Sequence, residues 1–206
     1  MDSAPTYKYN RKSLRLPHYN YSREGYYFIT IVAKNREHLF GEIVDGNMVL
    51  NVAGLMVEEL WHDIPNDFNH VKLHECIIMP NHIHGIIEIK NPYDSDIKPV
   101  GADSISALNM NTKNIHEFQR VDMESTPTLS KIVQSFKRHT TLRYIKMVKN
   151  KTLPPFNKRI WQRNYYEHVI RDENDYVRIA EYIVNNPITW NDDVLSQNEY
   201  PYKKTY

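Results

Sequence analysis

The sequence predicts an α+β fold built on a ferredoxin-like antiparallel sheet with helices packed on it. Three observations predict it. Residues 26–33, YYFITIVA, are aromatic and β-branched, as a strand requires. Residues 71–79 and 82–89 read as two more strands, joined by the Pro80–Asn81 pair. Between the first strand and these two, residues 52–64 carry apolar positions at the helical spacing. Strand, helix, strand, strand is the opening of the split βαβ arrangement.

Each element has its own signals. In EIVDGNMVLN (42–51), Asp-Gly-Asn separates two short apolar runs and predicts a hairpin. In VAGLMVEELWHDI (52–64), Leu55, Met56, Leu60 and Ile64 form an amphipathic stripe, and Pro65 with Asn66 is expected to end the helix. VKLHECIIM (71–79) alternates as a strand, and HIHGIIEI (82–89) follows it. Residues 91–127 are rich in Asn, Asp, Ser and Pro without periodicity, and read as a flexible insertion in a single domain spanning 1–206. Helical signal resumes near Thr128 and runs to about Val148. LPPFNKRIWQRNYYEH (153–168) reads as a connection. DENDYVRIAEYIVNN (172–186) is again helical, capped by Asp172, with acids where the helix dipole favours them, and stopped by Pro187.

The bulk composition narrows the class of protein. With 41% hydrophobic and 25% charged residues in 206, a soluble globular protein is expected. No apolar run approaches the ~20 residues of a bilayer span, and the N-terminus lacks an apolar export segment, so a cytoplasmic protein without a membrane partner is expected. Cys76 is the single cysteine and excludes an intrachain disulfide. The net charge is only +1, but it is unevenly spread. Residues 128–151 carry Lys131, Lys137, Arg138, Arg143, Lys146, Lys149 and Lys151 with no acid, and the first 40 residues carry Arg11, Lys12, Arg15, Arg23, Lys34 and Arg36. Such segments suit either a phosphate-binding face or an ordinary solvated helix.

Two places carry residues fit for chemistry. In MPNHIH (79–84), strand alternation puts His82 and His84 on one face, where two imidazoles can converge on a divalent ion. With ten His in the chain, a structural pair is the competing reading. In EYIVNNP (181–187), Tyr182 and Asn186 are four apart and share a helical face. A phenol can attack a phosphodiester, and the Asn186 amide oxygen offers a third ligand to a hard ion such as Mg²⁺ or Mn²⁺. The competing reading packs Tyr182 into the core beside Ile179 and Ile183.

MPNHIHGIIEI, followed by IWQRNYYEHVIRDENDYVRIAEYIVNNP and preceded by YNRKSLRLPHYNYSREGYYFITIVAKNREHLFGEI, resembles the REP-associated tyrosine transposases of the HUH endonuclease superfamily. The resemblance covers most of the chain outside 91–127. It implies an HUH-type sheet with the His pair on its central strand. It implies metal-dependent cleavage and rejoining of single-stranded or hairpin DNA, with Tyr182 forming a 5′-phosphotyrosine and His82, His84 and Asn186 holding Mg²⁺ or Mn²⁺. A catalytically inactive, domesticated hairpin-binding protein is the alternative. Insertion-sequence relatives work as dimers and REP-associated ones can be monomers, so both states stay open. Tyr165 and Tyr166 are rival nucleophiles, or pack, or stack on a base. Lys137, Arg138 and Arg143 are expected on the DNA backbone, and Arg163 lies near enough to the motif to touch DNA. Sequence choice is expected around Arg11, Lys12 and Arg15, by family analogy. Trp161 and Trp190 are expected to anchor the core, and His168 and Arg171 to face phosphate.

Overall fold

In the computed structural model the described residues are 23–90, 128–192, 195 and 196; Arg11, Lys12, Arg15 and the expected insertion at 91–127 lie outside them. Four strands form the main sheet: β1 (Gly25–Val32), β4 (Val71–Met79), β5 (His82–Ile89) and β6 (Tyr166–Ile170), in the order β4-β5-β1-β6. Every neighbouring pair is antiparallel. In chain order that places second, third, first and fourth side by side, which is the ferredoxin-like arrangement the sequence predicts. The hairpin β2 (Gly41–Val44) and β3 (Asn47–Leu50), helices α1 (Val52–His62), α2 (Ile64–Asp67), α3 (Leu129–Lys149) and α4 (Glu173–Asn185) complete the described elements with two 3₁₀ turns, Lys34–Arg36 and Trp190–Asp192.

Local chemistry accounts for most boundaries. Asp45 and Gly46 both have positive φ, 50° and 74°, as the tight turn of the β2–β3 hairpin requires. Asn51 caps α1 by accepting from the amides of Ala53 and Gly54 at 2.9 and 3.0 Å. Asp172 caps α4 in the same way through the amide of Asp175, at 2.9 Å. Two expectations need correction. Pro65 does not simply end the helical stretch: α1 stops at His62, and Pro65 sits in the first turn of a separate helix, α2, where a missing N–H costs nothing. Residues 153–168 are not all connection: Tyr166 begins β6, which among the described residues is an edge strand paired with β1.

The sheet has apolar residues on both faces. One face, with Tyr27, Ile29, Ile31, Ile83 and Ile87, packs against α1 and α3 through Trp61, Ile132, Val133 and Phe136. The other carries a small cluster of Ile86, Ile170, Ile179 and Ile183 beneath α4. A bulge in β4 between Leu73 and Cys76 breaks strict alternation. It presents both His74 and Glu75 to α4: Tyr176 Oη donates to the Glu75 carboxylate at 2.7 Å and meets His74 Nδ1 at 3.1 Å, while His74 Nε2 meets Glu88 at 2.7 Å. This network ties the first turn of α4 to β4 and β5.

At Gly85 the Trp61 ring of α1 lies directly against the sheet backbone. A Cβ there would lie 2.4 and 2.7 Å from atoms of the Trp61 ring, which is itself buried against Phe136. Gly85→Ala is therefore expected to destabilise by about 1–3 kcal/mol, read as a lower midpoint in denaturant melts with an unchanged slope. An unchanged midpoint would show that Trp61 can move aside freely.

Candidate active site

His82 and His84 lie on the α4 face of β5, and both are buried. Their ring centroids are 4.4 Å apart. Tyr182 Oη lies 3.2 Å from His84 Nε2, and the Asn186 amide lies close enough to His82 to favour its charged form. The pairing follows from two periodicities. Four residues of helix rise ~6 Å and two residues of strand ~6.6 Å. A helix running along the strand in the opposite sense thus offers one side chain to each histidine. Tyr182 meets His84, and Asn186, the C-cap of α4, meets His82. The expected grouping of four residues is brought together within one chain. Tyr182 is 43% exposed, which removes the core-packing reading of this tyrosine.

Aromatic rings fix the two imidazoles. Phe28 stacks on His84 at 5.3 Å and 28°, and Trp190 stacks on His82 at 5.9 Å and 29°. Trp190 is buried, as expected from sequence, and also walls the site; Trp161 is buried in the main core, its indole N–H donating to Thr140 Oγ1 at 2.8 Å. Hydrogen bonds fix the rings as well. His84 Nδ1 meets Thr30 Oγ1 at 2.8 Å, and His82 Nδ1 meets Asn81 Oδ1 at 2.8 Å. Outer partners of this kind are what orient imidazole ligands. Neither Thr30 nor Asn81 is evident from the sequence as a site residue.

Arg36 is a further unexpected neighbour. It is 6% exposed, follows Asn35 in the left-handed region (φ 58° and 57°), and its charge opposes protonation of His82. Consecutive non-glycine residues in that region are uncommon and gather at functional sites. Nothing in the local sequence distinguishes Arg36 from the other basic residues of the first 40.

The remaining expected residues are more scattered. α3 lies across the sheet from the histidines, so its basic side chains do not join them. Lys137 is not placed as a free phosphate contact: its ammonium donates to the carbonyls of Gln162, Arg163 and Asn164 at 3.1, 3.4 and 2.9 Å, and burial lowers its pKa to about 8. It braces the loop from which Gln162 reaches the Ala33 carbonyl at 3.4 Å. Arg143 lies 3.8 Å from Glu59 at the surface, while Arg138 and Arg163 are exposed. His168 binds the Asp175 carboxylate at 2.6 Å, and Arg171 is exposed. Tyr165 turns to the α3 side, 3.2 Å from Ser130 Oγ. Tyr166 shares the site face but stands on the edge strand, beside Thr30 in register.

The donor set suits a divalent cation. His82 Nε2 is buried and makes no hydrogen bond of ordinary geometry. Burial first, and the Arg36 charge second, hold the ring neutral, with its pKa lowered to about 3, which is the ligating form. Among the described residues no three His, Cys, Asp or Glu side chains gather as a metal cluster, so the set here is two imidazoles and an amide. Such a set could hold either Mg²⁺ or Mn²⁺.

The same neutral histidine sets a pH dependence. Between the ordinary value of 6.5 and about 3, the unfolded chain takes up a proton at His82 that the folded protein refuses. Stability therefore falls as pH drops through this window, by up to about 1.4 kcal/mol per unit. On going from pH 7 to pH 5, wild type is expected to lose about 2 kcal/mol more than His82→Gln in urea denaturation. Equal losses would mean that His82 is already protonated when folded.

No helix among the described residues is long and apolar enough to cross a membrane. No family model matches the chain. It is 43% identical over 195 residues to an uncharacterized protein of Haemophilus influenzae (strain Rd), covering 92% of this chain and 98% of that one. The chain belongs to the same family as that protein. Among solved structures it is similar to a REP-associated tyrosine transposase bound to a REP hairpin, with 18% identity and a TM-score of 0.43 over 91% of this chain and 88% of that one. It is also similar to a transposase candidate of Deinococcus radiodurans R1, with 17% identity and a TM-score of 0.39 over 83% and 95%.

Proposed function

We propose that this protein is a metal-dependent single-strand DNA endonuclease and transposase that cleaves and rejoins DNA at hairpin sequences through a 5′-phosphotyrosine. The observation that carries the reading is the Tyr182 phenol 3.2 Å from His84 Nε2, on a face that also holds the buried His82 and Asn186. A histidine pair alone has bland explanations. A half-exposed tyrosine laid against that pair by a separate helix is what a nucleophile needs: reach to substrate, beside the groups that would hold the cation. The hairpin as substrate rests on the motif resemblance.

The geometry supports the following roles. The Tyr182 oxygen forms a bond to phosphorus as the bond to the 3′ oxygen breaks, and that oxygen leaves as a 3′ hydroxyl. The phosphotyrosine conserves the energy of the broken bond, so the reverse attack by a 3′ hydroxyl rejoins strands without ATP. With Nδ1 donating to Thr30, His84 Nε2 accepts from the phenol; a bound cation would take that lone pair instead, so the phenol proton passes to solvent and solvent supplies the proton of the leaving 3′ hydroxyl. His82, His84 and Asn186 would hold Mg²⁺ or Mn²⁺, which supplies Lewis-acid stabilisation of the phosphate charge. Because all four residues meet within one chain, we infer a site that works without a second copy.

The test is a hairpin oligonucleotide with an adjacent single-stranded tag, labelled on the strand downstream of the tag. With Mn²⁺ a labelled covalent adduct should survive denaturing electrophoresis, and chelation should remove it. Tight hairpin binding with no adduct, across Mn²⁺, Mg²⁺ and several tag sequences, would instead identify an inactive DNA-binding descendant.

A further inference from the structure

We propose that Asn81 is the positioning residue that fixes which nitrogen of His82 is free to bind a cation, an inference resting on His82 being a metal ligand. Asn81 is fully buried. Its amide nitrogen donates both hydrogens to backbone carbonyls, those of Arg36 at 3.1 Å and Leu195 at 2.8 Å. Carbonyl oxygens only accept, so the amide cannot be flipped without setting oxygen against oxygen twice. Its Oδ1 is thereby directed at His82 Nδ1, 2.8 Å away. That oxygen is also only an acceptor, so the hydrogen must reside on Nδ1. A neutral imidazole has a single N–H, which leaves Nε2 bare, with its lone pair available.

The two histidines differ here. His84 has a hydroxyl on each side, from Thr30 and Tyr182, at 2.8 and 3.2 Å. Hydroxyls donate or accept, so His84 can exist as either tautomer. His82 has an amide oxygen and is confined to one. The surrounding chain holds this arrangement from three sides. The Asn81 carbonyl accepts from the Ala33 amide at 2.8 Å, the left-handed pair Asn35–Arg36 turns one carbonyl inward, and the segment beyond Trp190 supplies the other through Leu195. The two imidazoles thus differ: His82 has one nitrogen fixed for ligation, and the tautomer of His84 follows two rotatable hydroxyls.

Two substitutions separate positioning from mere packing. Asn81→Ala and Asn81→Asp both lose the two donations to carbonyls, but only Asp keeps an acceptor opposite His82 Nδ1. In wild type, nitrogen-15 spectra of the metal-free protein at pH 7.5 should show His82 with its hydrogen on Nδ1. The Asp variant should keep that hydrogen on Nδ1, and the Ala variant should shift toward the Nε2–H form. Mn²⁺ titrated by calorimetry should bind 10–100-fold more weakly to the Ala variant and within a few-fold of wild type to the Asp variant. An Nε2–H form of His82 in wild type would overturn the proposal, as would equal loss of Mn²⁺ affinity in both variants. If wild type shows the Nδ1–H form yet binds no Mn²⁺, the metal reading fails while the tautomer assignment stands.

Discussion

Tyr182→Phe is expected to abolish the covalent protein–DNA adduct while hairpin binding and folding persist. The substitution removes one oxygen and nothing else. The ring stays edge-on to Phe28 and His84, whose centroids lie 6.1 and 5.2 Å away, and the half-exposed hydrogen bond to His84 is lost, worth about 1 kcal/mol. A phenyl ring cannot form a bond to phosphorus, so the cleavage rate should fall by on the order of 10³-fold or more. The denaturing gel reads the adduct, and a filter or mobility assay reads binding. Persistence of the adduct would reject Tyr182 as the nucleophile and direct attention to Tyr166, which shares its sheet face.

His84→Ala should produce the second-largest loss, because the ring is a candidate ligand set beside the phenol. Its Nε2 faces Tyr182 and its Nδ1 faces Thr30. Without it the candidate cation loses a ligand next to the attacking oxygen. Such a cation supplies several kcal/mol of charge stabilisation, so the cleavage rate should fall by on the order of 10²-fold or more. Two readouts should therefore move together: adduct formation, and the rise in melting temperature that Mn²⁺ confers on the folded state. His74→Ala is the control. His74 belongs to the Tyr176–Glu75–Glu88 network, so its loss should lower stability while the Mn²⁺-dependent shift remains. If His84→Ala keeps that shift intact, His84 is not a ligand.

The sequence made some of this legible and hid the rest, for definable reasons. Strands β1, β4 and β5 and helices α1, α3 and α4 were readable because each has a periodic apolar pattern or a cap. β6 was hidden because YEHVI lies on an edge, with exposed Tyr166 and His168 and few apolar residues to mark a period. His82, His84, Tyr182 and Asn186 could be grouped because their spacings match the repeats of strand and helix. Asn81 read as a turn residue, since the carbonyls that hold it belong to residues 45 and 114 positions away. Lys137 read as a surface cation because composition records charge but not burial, and its partners are main-chain oxygens present at every residue. Arg36 and Trp190 reach the site only through chain folding, which no local window contains.

The two faces of the sheet are unequally fastened. On the α1 and α3 side, large rings such as Trp61, Phe136, Tyr144 and Trp161 interlock over most of the sheet. On the other side, α4 buries Ile179 and Ile183 against Ile86 and Ile170 of the sheet and is pinned near its start by the Tyr176 hydroxyl. Elements with little apolar burial detach at lower free energy than the global fold. The helix bearing Tyr182 should then lift as a unit before the rest of the domain melts, with its amides exchanging hydrogen sooner than those of β5. The Tyr182 face would come apart reversibly while its histidine-bearing floor stays rigid, which under the proposed function would give a long DNA strand a way in that does not require threading.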